Sequence, residues 1–172
     1  MKKYELLQHD TVTTPNGTTL YRIRALKDLA FAKKGDLGGY IEKEDNLSRG
    51  GNAWVADNAR VFGHARVSGN ARVFGNAEVC GNALVYGSAL VCENAMVYGD
   101  SWEKSPIYIQ GSKFAITTSS HNEITIGCIS HPIDHWLENY ESIGKEHNFS
   151  EDEIEEYRSY IYCLDQVMKS YF

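Results

Sequence analysis

Residues 51–98 read GNAWVA, DNARVF, GHARVS, GNARVF, GNAEVC, GNALVY, GSALVC and ENAMVY, and this stretch decides the fold. Every hexad has valine at its fifth position and alanine two positions earlier. Gly, Asp or Glu opens each hexad, and Asn, His or Ser follows. A fixed short period of this kind indicates stacked units, none of which can bury its apolar side without its neighbours.

The hexads predict very short strands joined by tight corners. Glycine and asparagine recur too often for a helix, and glycine does not occupy every third position, as collagen would require. Ala-x-Val places two side chains on one face of a strand, and the Gly-Asn pair supplies a positive-φ corner. We therefore expect alanine and valine to line the interior of a coil.

This pattern resembles the hexapeptide-repeat left-handed β-helix, in which three hexads form one triangular coil. The resemblance covers residues 51–98 and implies a mainly β fold, a left-handed parallel β-helix. The chain departs from the usual hexad after each valine, where Ala, Phe, Ser, Cys or Tyr replaces the frequent small or acidic residue. This departure changes the outer surface of the coil and leaves the predicted fold unchanged.

The segment before the hexads predicts a β-hairpin and an irregular first coil. Residues 4–12 and 18–26 are strand-like, and Thr14-Pro15-Asn16-Gly17 between them is a turn signal. The phrase GDLGGYIE at residues 35–42 then leads into the hexads. This phrase, placed ahead of such hexads, resembles repeat proteins that are common in phages and prophages.

The segment after the hexads predicts a last partial coil at residues 107–112, because Gly99, Ile109 and Gly111 keep the hexad register. Residues 114–118 and 124–128 alternate around a polar turn and predict a second hairpin. Both hairpins are expected to cap the coil, whose open ends would expose unpaired strand edges. The predicted regions are a hairpin cap at 1–35, the β-helix at 36–112, a hairpin at 113–130 and a helical hairpin at 131–172.

Two C-terminal helices complete the prediction. The first begins near Pro132 and has an apolar face from Ile133 to Ile143. The second opens with the capping box Ser150-Glu151-Asp152-Glu153 and continues with apolar residues at heptad spacing. That seam is short for a coiled coil, which favours packing on its own chain, while pairing between subunits stays open.

Composition predicts a cytoplasmic protein without a disulfide framework. No apolar run reaches membrane-spanning length, and no signal-peptide core follows the N-terminal Met-Lys-Lys. The four cysteines are sparse, and Cys80 and Cys92 should project from different faces of the coil, so we expect no bridge between them. The formal net charge is −6, without the basic footprint of a nucleic-acid binder. We therefore expect neither a membrane nor duplex nucleic acid as a partner.

Residues eighteen apart should stack on adjacent coils, about 4.8 Å from each other, and form three outer columns. The columns contain Trp54, Ala56, Arg72, Phe74, Leu90 and Cys92; Arg60, Phe62, Glu78, Cys80, Met96 and Tyr98; and Arg66, Ser68, Leu84, Tyr86, Trp102 and Lys104. Arg60 and Glu78 should pair across adjacent coils. The columns are apolar and aromatic, which indicates covered or interacting surfaces. We expect the C-terminal helices to cover one face and self-association, as a trimer by analogy, to cover another.

A second interpretation of the columns is a ligand cleft, in which Arg66 or Arg72 is flanked by Trp102 or Trp54. Arginine beside indole suits anionic or planar ligands such as nucleotides. The candidate residues for binding a ligand or partner are Trp54, Arg60, Arg66, Arg72, Phe74, Tyr86 and Trp102.

The sequence favours a non-catalytic binding or scaffold protein that needs no cofactor. The resemblance to phage proteins adds the hypothesis that it antagonises a bacterial defence system by binding a host protein or a nucleotide signal. The alternative is an acyltransferase, because many hexapeptide β-helix proteins transfer acyl groups with a histidine base between subunits. His64 is the only histidine within the hexads, but it takes the Asn corner position of an uninterrupted repeat, which favours a structural role.

Cys128, His131 and His135 form a C-x2-H-x3-H cluster that resembles a metal site, because two histidines four apart can share a helix face. A structural zinc site usually has four ligands, and no clear fourth ligand follows, although His121 and His147 are available. We therefore predict no bound metal.

Overall fold

The computed structural model describes residues 2–171. Met1, the first residue of the predicted hairpin cap, and Phe172, the last residue of the predicted helical hairpin, lie outside the described residues. The chain forms two compact units, one up to Pro106 and one from Ile107. The first unit is a parallel β-solenoid preceded by a hairpin, and the second is an antiparallel sheet with two helices. The predicted mainly β architecture with a C-terminal helical pair is confirmed. The left-handed winding stays a prediction.

The N-terminal hairpin extends one side of the solenoid. Strand β1 (Tyr4–Thr13) pairs antiparallel with β2 (Thr19–Ala25), which confirms the predicted hairpin. Strand β2 pairs antiparallel with β3 (Leu37–Ile41), and β3 pairs parallel with the first strand of the next coil through Ile41 and Val61. The change from antiparallel to parallel pairing therefore occurs at β3.

Each hexad contributes a two-residue strand made of its valine and the residue before it. These strands are β4 (Trp54–Val55), β5 (Arg60–Val61), β6 (Arg66–Val67), β7 (Arg72–Val73), β8 (Glu78–Val79), β9 (Leu84–Val85), β10 (Leu90–Val91) and β11 (Met96–Val97). Strands three hexads apart pair in parallel, so that Val55 lies beside Val73, and Val73 beside Val91. The predicted coil of eighteen residues is confirmed.

Alanine and valine line the interior of the solenoid, as the hexads predict. The alanine and the valine of every Ala-x-Val unit from Ala53 to Val97 are at most 1% exposed. Strand partners lie eighteen residues apart, and in this parallel register each such backbone amide donates to the carbonyl seventeen residues later, on the next coil. The Trp54 amide donates to the Ala71 carbonyl at 3.0 Å, and the Ala56 amide donates to the Val73 carbonyl at 2.8 Å. Buried backbone groups are thereby satisfied along the whole repeat.

The corners of the coil require left-handed backbone at the first residue of each hexad. Gly75 has a φ of 71°, and a Cβ there would lie only 2.9 Å from the amide nitrogen of Glu93 on the next coil. Asparagines at the second position stack into ladders, in which the side-chain amide of Asn76 donates to Asn94 at 3.3 Å. Asp57 and Glu93 are the first residues of their hexads and also have positive φ, 55° and 56°, although neither is glycine.

The solenoid ends at β12 (Ser101–Trp102), and the predicted last partial coil at residues 107–112 is wrong. Strand β13 (Tyr108–Gln110) instead pairs antiparallel with β14 (Ala115–Thr118), so that Ile109 lies opposite Ile116. The unit that Gly99 opens has no Ala-x-Val to continue the coil, and Pro106 has no amide to donate.

The second unit builds its own core. Strands β14, β15 (Glu123–Ile126) and β16 (Ile129–Pro132) are antiparallel neighbours, which confirms the second hairpin and adds a strand after Gly127. Helices α1 (Ile133–Glu146) and α2 (Glu151–Tyr171) follow. The core side chains are Ile116, Ile124, Ile126, Ile133, Trp136, Tyr157, Ile161, Leu164 and Met168. The apolar seam of α2 is therefore buried against its own chain.

The predicted capping box at the start of α2 is confirmed. The Glu153 amide donates to the Ser150 hydroxyl at 3.2 Å, and the Ser150 amide donates to the Glu153 carboxylate at 2.7 Å. These bonds satisfy two backbone donors at the helix N-terminus.

Lys3 ties the N-terminal hairpin to the first coil. Its side chain is 0% exposed, and its ammonium donates to the carbonyl oxygens of Ala53 at 2.8 Å and Gly50 at 3.3 Å. Burial, with a smaller contribution from the positive charge of Lys27, lowers the pKa of Lys3 to about 8. No carboxylate in the described chain pairs with this ammonium.

Replacement of Glu93 by glycine should stabilise the protein by about 0.5–1 kcal/mol, because it relieves ~1–2 kcal/mol of left-handed strain and costs roughly 0.5–1 kcal/mol of chain entropy. Chemical denaturation of wild type and variant measures the difference in the free energy of unfolding. Glu93→Ala is the control, because it removes the same charge and keeps the strain. Equal stability of the two variants would contradict the assigned corner geometry.

The buried Lys3 should make the protein more stable as pH rises from about 8 to 10.5, since in this window the unfolded chain keeps a proton that the folded chain has released. The free energy of unfolding should gain up to about 1.4 kcal/mol per pH unit relative to Lys3→Met. Denaturation curves of both proteins across this window measure the gain. If the free energies of unfolding of wild type and Lys3→Met changed in parallel with pH, the pKa of Lys3 would be the same in the folded and unfolded chains, which would contradict the prediction.

Candidate functional site

An open groove of about 660 Å³ lies along the third face of the solenoid, formed by β6, β9 and β12. One wall is the segment that leads from β3 into the hexads. The lining residues are Glu44, Asp45, Leu47, Ser48, Arg49, Gly50, Arg66, Val67, Ser68, Leu84 and Tyr86. The groove lies entirely within the first unit.

The wall of the groove is held by hydrogen bonds to buried groups. The Tyr4 hydroxyl lies 2.8 Å from the carbonyl oxygens of both Glu44 and Leu47, and burial beside Glu44 raises the pKa of Tyr4. The Asn46 side-chain amide donates to the Ala65 carbonyl at 2.8 Å. The Ser48 amide donates to the Val67 carbonyl at 2.9 Å. The wall and the floor therefore form one rigid surface.

The floor of the groove exposes apolar side chains next to an arginine. Leu84 is 41% exposed and Tyr86 is 37% exposed, and both project from the coil above Arg66. Among residues 2–171, no carboxylate forms an ion pair with Arg66. The floor thus offers apolar surface and a free cation side by side, which is the usual composition of an interaction surface.

The charge of the wall is partly neutralised within the chain. Glu44 forms ion pairs with Lys2 and Arg49, and hydrogen bonds from these two cations lower the pKa of Glu44. Asp45 is exposed at the same wall. The groove therefore presents both signs of charge.

The predicted site residues fall into separate groups. Arg66 and Tyr86 share the groove. Arg60 lies on another face, where its guanidinium donates to Glu78 at 3.0 Å, which confirms the predicted pairing across coils. The first column, with Trp54, Arg72 and Phe74, lies on the remaining face of the coil.

The first column is more covered than the sequence predicts. Trp54 is only 3% exposed, although it occupies an outward position beside Arg72. The Arg72 guanidinium lies 4.6 Å from the ring of Phe31 and 5.0 Å from the ring of Phe74. Phe31 comes from the loop between β2 and β3, whose contact with this column has no signal in the hexad pattern.

The prediction that Trp102 flanks Arg66 on the outer surface is wrong. Trp102 pairs with Val85, seventeen residues earlier, and Ser101 pairs with Leu84. The last coil is one residue short, so the indole points inward and is 0% exposed. Its ring nitrogen donates to the Gly99 carbonyl at 2.7 Å. A large side chain therefore occupies the valine position at the end of the solenoid.

Three histidines that the sequence analysis names lie at a corner of the coil, in β16 and in α1. His64 is exposed at a corner, and its amide donates to the Gly81 carbonyl at 2.9 Å in the ladder of the coil. The rings of His131 and His135 lie 4.3 Å apart. Within residues 2–171, no three His, Cys, Asp or Glu side chains are grouped so that they could hold a metal ion.

The chain is similar to known β-solenoid proteins in its central hexads. A sequence model of the YdcK beta solenoid repeat matches residues 65–80 and 77–93. No curated protein matches the chain. The match and the observed coil agree that this is a β-helix repeat protein. Neither helix of the described chain is long and apolar enough to cross a membrane.

Proposed function

We propose that the chain is a non-catalytic binding protein, in which the solenoid is a rigid scaffold and the groove holds a segment of a partner protein. The observation that supports this proposal is the exposure of Leu84 and Tyr86 on a floor of stacked coils, beside Arg66, which has no ion pair within residues 2–171. A rigid surface loses little conformational freedom when it binds, so more of the contact energy contributes to affinity.

The chemistry of the groove favours a peptide over a nucleotide. The acids that line the groove, Glu44 and Asp45, are balanced by two bases, Arg49 and Arg66, so the groove has no excess positive charge for phosphate groups. Leu84, in contrast, offers an aliphatic contact. A segment with an apolar side chain and an acidic side chain would match Leu84 and Arg66. A nucleotide-type ligand is the second outcome that the experiment below distinguishes.

We further propose that the protein comes from a phage or prophage and binds a bacterial host protein. The GDLGGYIE phrase at residues 35–42 supports a phage or prophage protein, and the partner would then be a host protein of a bacterial defence system. We also propose self-association, with a trimer as the expected assembly by analogy with hexapeptide β-helix proteins. The exposed Leu90, on a different face from the groove, supports a second contact surface.

Two matched variants test the groove. Leu84→Ser and Leu90→Ser each change a leucine at the same hexad position with nearly equal exposure, 41% and 40%. Only Leu84 lies in the groove, so Leu84→Ser should weaken capture of the bacterial partner by at least about tenfold, as loss of a buried leucine contact implies. Mass spectrometry of the material retained from bacterial lysate measures this.

Arg66→Glu should give the same loss, because it reverses the free charge of the floor. Retention of the same partner by wild type, Leu84→Ser and Arg66→Glu alike would contradict the assignment of the groove. Release of a bound nucleotide from the purified wild-type protein on denaturation would identify the nucleotide-type ligand instead.

A further inference from the structure

A second cavity lies in the core of the second unit, between its sheet and its two helices. Its volume is about 110 Å³. It is lined by Phe114, Ile126, Gly127, Cys128, Ile129, Trp136, Tyr140, Ile143, Gly144, His147, Phe149, Ile154, Tyr157 and Ile161. Protein interiors are close-packed, so an apolar space of this size inside a small core calls for an explanation.

The cavity reaches from the surface into the core. Trp136 and Tyr157 are each 3% exposed and Ile161 is 1% exposed, so they belong to its buried part. Phe114 is 41% exposed, and the Cys128 thiol is also exposed, so they belong to its rim. A small molecule therefore has a path into the cavity without unfolding of the unit.

The polar atoms of the buried rings are already engaged with the backbone. The Trp136 ring nitrogen donates to the Ile124 carbonyl at 3.0 Å. The Tyr157 hydroxyl donates to the Phe114 carbonyl at 2.6 Å and accepts from the Lys113 amide at 3.1 Å. These two side chains therefore present carbon surface to the buried part of the cavity, where a charged ligand would lose its hydration without compensation. His147 also belongs to the lining, but it is exposed and lies at the rim.

The wall of the cavity is fixed by ring contacts. Phe149 packs edge to face on Tyr157, with ring centroids 5.0 Å apart, and lies 5.8 Å from the ring of Phe114. The hydroxyl contacts of Tyr157 hold the Phe114 backbone in place. A wall pinned in this way resists collapse, so the space persists when it is empty.

We propose that this cavity is a binding site for a neutral, ring-sized aromatic molecule. Aromatic lining rings favour edge-to-face and offset contacts with another ring. Dry apolar cavities of about 150 Å³ in other proteins bind benzene, which is the same order of size. The site is separate from the groove of the first unit and does not depend on the binding function proposed there.

The cysteines provide a direct readout of occupancy. Cys128 lines the cavity, whereas Cys163, on α2, is also exposed and is not part of the lining. The wild-type protein is alkylated with iodoacetamide in the presence of benzene or indole, and peptide mass spectrometry follows both thiols. At a probe concentration about ten times its Kd, alkylation of Cys128 should slow about tenfold, while Cys163 reacts at its original rate.

Benzoate is the charged control, and it should leave both rates unchanged. Ile129→Phe, which enlarges a half-buried lining side chain, should abolish protection by benzene and indole. If this variant does not fold, the alkylation rates of Cys128 and Cys163 in the wild type still test whether the probe occupies the cavity.

Three results would each overturn the proposal: no protection of Cys128 at the solubility limit of the probes, equal protection of both thiols, or equal protection by benzoate. Protection that appears without any probe and grows with protein concentration would also overturn it, because a second copy of the chain would then occupy the cavity.

Discussion

The structure of the first unit depends on one constraint: each residue of a coil must lie beside the residue eighteen positions later, on the next coil. The parallel backbone bonds, such as those from Trp54 to Ala71 and from Ala56 to Val73, exist only in that register. The same register brings alanine and valine into the interior and stacks the asparagine ladders at the corners. Hydrophobic burial and backbone pairing therefore support the same arrangement, which is the consistency expected of a well-specified fold.

The same constraint determines where function can reside. The interior of the coil is filled by small side chains, so it offers no room for a ligand. Outward positions are free to vary, and the chain uses Leu84, Tyr86 and Arg66 there to form the floor of a groove. One missing residue after Tyr98 is enough to turn Trp102 inward and remove it from that floor. Binding residues on such a scaffold are set by register as much as by residue type.

Sequence reasoning predicts the solenoid well because its information is local and repeated. The six-residue period of valine gives the coil and the Arg60–Glu78 contact, and the Gly-Asn pairs give the corners. It fails where contacts join distant segments without a periodic signal. The cover of the Trp54 column by the loop with Phe31, and the groove wall held by Tyr4, depend on loops that carry no such period.

The end of the solenoid shows a different limit. Ile109 keeps the hexad phase in the sequence, yet it pairs with Ile116 in an antiparallel sheet. Phase alone does not continue a coil when the Ala-x-Val face is absent, since no apolar side is left to bury on the preceding coil. The cavity of the second unit likewise depends on how one sheet and two helices meet, which no single segment encodes.

The most direct test of the account is the pattern of nuclear Overhauser contacts between valine methyl groups in selectively labelled protein. The stacked coils should give contacts between valines eighteen residues apart, such as Val55 with Val73, Val73 with Val91, and Val61 with Val79. Exposure of these methyl groups to a soluble paramagnetic agent, without such contacts, would contradict the stacked coil and the groove built on it.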